Sequence, residues 1–201
     1  MLIRKIPMLP VVRSKKELSI TLSKELPKYF SKPEIDRLLE SVRDNQKKHL
    51  LINMLWQTGV RISELLKVKV KDIDFYAKAI KIASLKRRKK LQRVIPIQAG
   101  LIGEIGVYIA HNQFQNEDRL FNFTRHRAYH IIRETVLKAG LDPERAHPHT
   151  FRHSFGVHAV LNGVPIIVIK NWLGHSNINS TLIYMQVLGS DTRQFYENLK
   201  F

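Results

Sequence analysis

Two short segments rich in β-formers, residues 78–83 (KAIKIA) and 92–97 (QRVIPI), flank the cationic run Lys86–Lys90 (KRRKK) in a chain whose other apolar residues recur at helical spacing. Alternating or clustered Ile, Val and Ala bounded by polar residues predict strands, and two of them this close predict one antiparallel β-hairpin with a cationic tip. That single interruption of the helical period limits the chain to a mostly α domain with a small antiparallel sheet, an α+β fold.

The helices are punctuated clearly. Ser31 with Glu34 three residues on, and Pro33 in the first turn, matches a capping box, and Ile35, Leu38, Leu39 and Val42 give the helix that follows a core-facing stripe. A second helix over 47–58 carries Leu50, Leu51, Met54 and Leu55 and stops at Gly59, suited to a left-handed cap. Within 58–75 (TGVRISELLKVKVKDIDF) a short helix restarts near Ser63, held inward by Leu65, Leu66, Val68 and Ile73. Helical pattern resumes over 99–111, 125–139 (ended by Gly140), 150–162, 165–173 with Pro165 in its first turn, 179–187 and 191–200. Residues 1–26, basic and broken by Pro7 and Pro10, read as an arm or linker before one domain over 27–201, with no separate N-terminal domain evident.

Charge narrows the partner. Lys and Arg number 34 against 17 Asp and Glu, a balance of +17, and such a field draws polyanions, nucleic acid first and an acidic membrane surface second. No cysteine is available for disulfides or thiolate metal sites, the start has no signal-peptide core, and no apolar run approaches the roughly 18–20 residues of a membrane span. A soluble, cytoplasmic, nucleoid-associated protein is expected.

The chemistry-bearing residues concentrate in 149–184 (HTFRHSFGVHAVLNGVPIIVIKNWLGHSNINSTLIY). A helix beginning near Thr150 places His149, Arg152 and His153 around one end, because side chains three and four apart share a face. One imidazole and one guanidinium can then converge on an anion, with His175 and Tyr184 following. Upstream, Arg61 has Glu64 three residues on, a spacing equally suited to a plain ion pair. Each residue alone has an ordinary alternative: a helix cap for His149, a helix stop at Gly174–His175, a core position for Tyr184. His147, His149 and His153 invite a zinc reading, but HExxH and cysteine are absent, as is any GxxxxGK[ST] loop, so neither metal nor nucleotide cofactor is expected.

Taken together, TGVRISELL, HTFRHSF, LGHSNINSTLIY and the hairpin ending RVIPI resemble the signature segments of the tyrosine recombinase, or phage-integrase, family over residues 27–190, with a leaning towards resolvases and integrases of plasmids and other mobile elements. The resemblance implies that family's catalytic-domain fold, with Arg61 and Arg152 clamping a phosphate, His149 and His175 beside them, Tyr184 as nucleophile and Glu64 buttressing Arg61. It assigns protonation of the leaving 5′-oxygen to a hairpin lysine. LKRRKKLQR lacks the glycine or threonine that often marks that position, so Lys86 is chosen with Lys89 and Lys90 as rivals. Arg87, Arg88, Lys89, Lys90 and Arg93 are then expected on DNA phosphates.

The implied activity is site-specific recombination through a 3′-phosphotyrosyl intermediate. A type IB-like topoisomerase and a catalytically idle DNA-binding homologue are the alternatives. The implied partners are double-stranded DNA and other copies of the chain in a tetramer on DNA, with an accessory DNA-binding protein as a further candidate. Phe195, Leu199 and Phe201 in 190–201 could cover the chain's own core or pack into a neighbouring subunit.

Overall fold

Helix α2 (Gln46–Thr58) is the centre of the molecule, with Leu50, Leu51, Ile52, Asn53, Met54, Leu55, Trp56 and Thr58 all buried, so nearly every face meets another element. In the computed structural model, which describes residues 26–83 and 92–189, α1 (Lys32–Ser41), α4 (Ala99–Asn112) and α6 (Pro148–Leu161) pack around it. The short α3 (Ile62–Leu65), α5 (Arg125–Lys138), α7 (Ile166–Leu173) and α8 (Asn179–Leu182) complete the helical part. One core runs from α1 and α2 through the sheet to α4 and α5. A second lies between α6, α7 and a 3₁₀ turn, Ile183–Leu188, around Val157, Val160, Ile169, Leu173 and Tyr184. The expected helical class with a small sheet is what the structure has.

Local chemistry explains the boundaries. The Glu34 carboxylate accepts the Ser31 N–H at 2.8 Å and its hydroxyl at 3.0 Å, closing the N-terminus of α1. Gly59 (φ 59°) and Gly174 (φ 65°) take the left-handed conformation that ends α2 and α7.

The sheet has three antiparallel strands in the order β1 (Ile73–Asp74), β2 (Ala79–Ala83), β3 (Gln92–Pro96). The first, two residues long, adds to the expected hairpin. It exists because the Asp74 carboxylate accepts the Ala77 N–H at 2.8 Å and Lys78 takes φ 49°, turning the chain back. In the β2–β3 register Ile80 faces Ile95 and Ile82 faces Arg93, whereas Lys81 faces Val94 on the other side. Strand parity therefore turns Arg93 towards the interior with the isoleucines.

Three differences from the expected boundaries matter for the site. Helix α6 starts at Pro148, so His149 lies inside its first turn. Pro165 sits just before α7 rather than in its first turn, and the segment expected as a helix over 179–187 is α8 followed by the 3₁₀ turn. Residues 1–25 of the arm expected over 1–26, Lys86, Arg87, Arg88, Lys89, Lys90 and the segment 190–201 lie outside the described residues. No helix among the described residues is long and apolar enough to cross a membrane.

Candidate active site

Arg152 is the keystone, only 4% exposed although it carries a permanent charge. Its Nη1 donates to the Gly59 carbonyl at 2.8 Å and its Nη2 to the Leu173 carbonyl at 2.7 Å. Those oxygens sit at the C-terminal ends of α2 and α7, where unsatisfied carbonyls and the negative end of the helix dipole favour a cation. Gly59 is needed for this approach: a Cβ there would lie 2.6 Å from the Phe155 ring and 2.8 Å from Leu173. Burial, followed by the nearby Arg61 charge, lowers Arg152 to about 10, which leaves it charged at neutral pH.

Arg61 opens α3. Its backbone N–H donates to Glu64 Oε2 at 3.0 Å and its Nη1 to Oε1 at 3.2 Å. The Glu64 side chain is 1% exposed and also accepts from Arg93 Nη1 at 3.2 Å and Nη2 at 2.7 Å, while Arg93 Nε donates to the Trp172 carbonyl at 2.7 Å. Burial by itself would raise the Glu64 carboxyl, but the hydrogen bonds and charge of Arg93, joined by those of Arg61, outweigh it and the net shift is downward. Arg93, expected among the DNA-contacting cations, thus spends its guanidinium inside the protein as a strut between β3, α3 and the end of α7.

Glu64→Gln would remove the charge that two guanidiniums share. A loss of about 2 kcal/mol in urea-unfolding free energy is expected, given what hydrogen bonds to charged groups are worth. An unchanged midpoint would show the strut to be dispensable.

Arg61, Ser63, Arg125, His149 and Arg152 line one cleft of about 270 Å³ at the N-terminus of α6. His149 lies open to it, and its pKa is lowered by desolvation and then by Arg152, Arg61, Arg125 and His147. A larger groove of about 570 Å³ continues past Arg125 along α5, walled by Tyr129, Arg133 and His147. His175 follows the Gly174 cap, its Nδ1 2.8 Å from the buried Thr181 hydroxyl. Desolvation first, and then the charges of Arg152 and Arg61, push it down to about 4.

Tyr184, on the 3₁₀ turn, is 1% exposed, and its hydroxyl is 3.0 Å from His153 Nδ1. Burial pushes the phenol up to about 12, with the Arg152 charge opposing weakly, while desolvation lowers His153 to about 4. The phenol therefore keeps its proton, and the imidazole beside it is neutral.

The structure brings Arg61, His149 and Arg152 to one cleft, sets Glu64 behind Arg61, and packs Tyr184 against α6 without making it part of the cleft wall. His153, expected beside the anion-facing residues, meets the Tyr184 hydroxyl instead, a pairing that the spacing does not reveal. Thr181, for which no sequence signal exists, and the groove-lining Arg125 were not among the expected site residues.

The buried histidines make stability depend on pH. With folded values near 4 and an ordinary value of 6.5, His153 and His175 bind protons in the unfolded chain first. Their contribution is complete above about pH 6.5 and is lost as pH falls towards 4. His49, raised by its hydrogen bond to Glu104, works in the opposite sense, its contribution being lost as pH rises. His149 and His158, also lowered by desolvation, act in the same sense as His153 and His175, so four lowered histidines against one raised predict a urea midpoint lower at pH 5 than at pH 7, with a smaller drop in His175→Asn; a midpoint rising on acidification would contradict this.

A family model described as the phage integrase family matches residues 28–190. A tyrosine recombinase of Pseudothermotoga lettingae is 32% identical over 174 residues, covering 85% of this chain and 60% of the relative. Tyrosine recombinase XerC of Staphylococcus aureus is 28% identical over 204 residues, covering 96% and 65%. The chain thus spans between 60% and 65% of the length of these two relatives. Among solved structures, XerA recombinase superposes with a TM-score of 0.75 at 27% identity, over 89% of this chain and 68% of that one. The catalytic domain of bacteriophage HP1 integrase gives 0.65 at 25%, over 85% and 94%.

Proposed function

Because the chain belongs to the phage integrase family, we propose that it is a site-specific DNA recombinase that breaks and rejoins strands through a covalent phosphotyrosine. The observation that carries this reading is the cleft itself: a buried Arg152 tied to two helix ends, an Arg61 held by a buried carboxylate, and His149 on the first turn of α6, with the Tyr184 phenol packed against the same helix.

The chemistry follows from charge. A phosphodiester bound in the cleft places its nonbridging oxygens against two guanidiniums that are already oriented, so charge built up in the transition state meets fixed donors. The positive end of α6 adds to this. Tyr184 Oη attacks phosphorus as its proton passes to the His149 imidazole, the P–O bond to the deoxyribose 5′-oxygen breaks, and that oxygen leaves as a hydroxyl. Lys86 is proposed as the acid that protonates it, with Lys89 and Lys90 as rivals, and His149 and His175 orient the phosphate or move protons. Attack by a 5′-hydroxyl on the phosphotyrosine reverses the step. The bond energy stays in the ester, and no nucleotide or metal is needed.

The groove along α5, with Arg125, Arg133 and His147 beside Tyr129, suits the flanking DNA backbone, and the charge of +17 supplies attraction independent of sequence. Exchange between two duplexes requires several copies, so a tetramer on DNA is proposed. Part of the site recognition would fall to an accessory DNA-binding protein, and the setting would be the cytoplasm at the nucleoid.

The test is covalent capture. The protein is incubated with nicked duplexes drawn from the host replicon, denatured, and DNA that stays attached is recovered. A denaturant-resistant adduct at a few recurrent sites, with a free 5′-hydroxyl on the released end, is expected. Binding without any adduct would leave a DNA-binding homologue, and relaxation of supercoils without exchange between sites would favour a topoisomerase.

A further inference from the structure

The Tyr184 hydroxyl meets a histidine outside the phosphate-facing set. His153 and Tyr184 lie 31 residues apart in the chain, on α6 and the 3₁₀ turn, and meet through Nδ1 and the hydroxyl at 3.0 Å with ring centroids 5.9 Å apart. The tyrosine ring lies flat on Gly156: a Cβ there would fall 2.4 Å from Tyr184 Cε2, so only glycine leaves room for this placement. The hydroxyl is consequently turned to α6 and sealed at 1% exposure, while the cleft is walled by Arg61, Ser63, Arg125, His149 and Arg152.

Building on the recombinase reading, we propose that His153 is a latch on the nucleophile: it holds the Tyr184 hydroxyl in a sheltered resting position from which the side chain must be released to attack. His153 is then a positioning residue, acting through Tyr184 and not on the phosphate.

Three features support a latch over a proton acceptor. The permanent charges around the pair are mostly positive: Arg152 on α6, Arg61 at α3 and Arg93 on β3, with the His149 and His175 imidazoles beside them, and among the described residues Glu64 is the acidic group that answers them, already shared by two arginines. Burial first, and then that field, make the His153 imidazole resist protonation at about 4, and burial, against the opposing Arg152 charge, raises the phenol to about 12, so the proton stays on oxygen and the imidazole is a poor base. The segment carrying the tyrosine is also built to yield: a four-residue helix, a 3₁₀ turn, and Gly189 at φ 65°. Finally, a phosphate entering the cleft would raise the pKa of His153 towards protonation, and a protonated Nδ1 can no longer accept from the phenol. Substrate binding and release of the nucleophile would thereby be coupled.

The test uses nitration by tetranitromethane on the DNA-free protein and adduct formation on nicked duplex. Tyr76, fully exposed, is the internal reference. Wild-type Tyr184 should react far more slowly than Tyr76. His153→Phe should raise both the Tyr184 nitration rate and the initial rate of adduct formation by about 3- to 10-fold, the equivalent of one lost hydrogen bond. His153→Asn, whose amide oxygen can stand where Nδ1 stood, should restore much of the wild-type protection.

Wild-type Tyr184 nitrated as fast as Tyr76 overturns the latch whatever the variants do. A folded His153→Phe with slower adduct formation and unchanged nitration overturns it in favour of a proton acceptor. Absence of any adduct in wild-type protein would instead count against the recombinase reading, and nitration would still report on the latch.

Discussion

Tyr184→Phe is expected to leave DNA retention intact and to abolish the denaturant-resistant adduct, a loss on the order of 10⁴-fold or more, because with Tyr184 as the proposed nucleophile no other group takes over the covalent step. The substitution is well placed for a clean reading. Phenylalanine keeps the ring on Gly156 and loses only the hydrogen bond to His153, so unfolding free energy should change by no more than about 1 kcal/mol. The measurement pairs denaturing electrophoresis of the nicked-substrate reaction with a filter-binding assay on the same preparation. An adduct that persists in Tyr184→Phe would move the nucleophile to another residue.

Arg152→Ala has the second large effect, and on two quantities at once. Cleavage should fall by about 10³-fold, the scale of removing a preorganised donor from a charge-developing site. DNA affinity should fall less than about 10-fold, because the basic surface supplies most nonspecific binding. Stability should drop by about 2–4 kcal/mol, since the Gly59 and Leu173 carbonyls lose a buried partner. Arg152→Lys should rescue little of either, as one ammonium on a flexible stem cannot span two helix ends and still present a fork to phosphate. Equal losses of cleavage and binding would favour a DNA-binding module whose chemistry lies elsewhere.

Much of the architecture was legible in the sequence because its signals are local. The capping box at Ser31, the glycine stops at Gly59 and Gly140, and the two β-forming segments each depend on a few neighbouring residues, and the elements appear within a residue or two of where they were expected. The third strand was not legible. Two residues carry no periodicity, and Ile73–Asp74 pairs with β2 only because a turn at Asp74–Lys78 returns the chain.

Arg93 lies between these cases. Its position two residues before Ile95 puts it on the inward face of β3, a reading that strict alternation permitted, yet its charge suggested the surface. What makes an inward arginine tolerable is Glu64, and that pairing spans 29 residues.

The sequence by itself determined the helical class, the position of the hairpin and the cationic character, and it named the candidates for handling a phosphodiester, because residue type and short-range spacing carry those properties. Tertiary structure decided how they are deployed. The glycine read as a helix stop also supplies the carbonyl that anchors Arg152, and the carboxylate read as a partner for Arg61 is shared with Arg93. Tyr184, with core and nucleophile as its two readings, is buried at rest on His153. Such contacts join residues tens of positions apart, and only packing decides which donor meets which acceptor once water has been excluded.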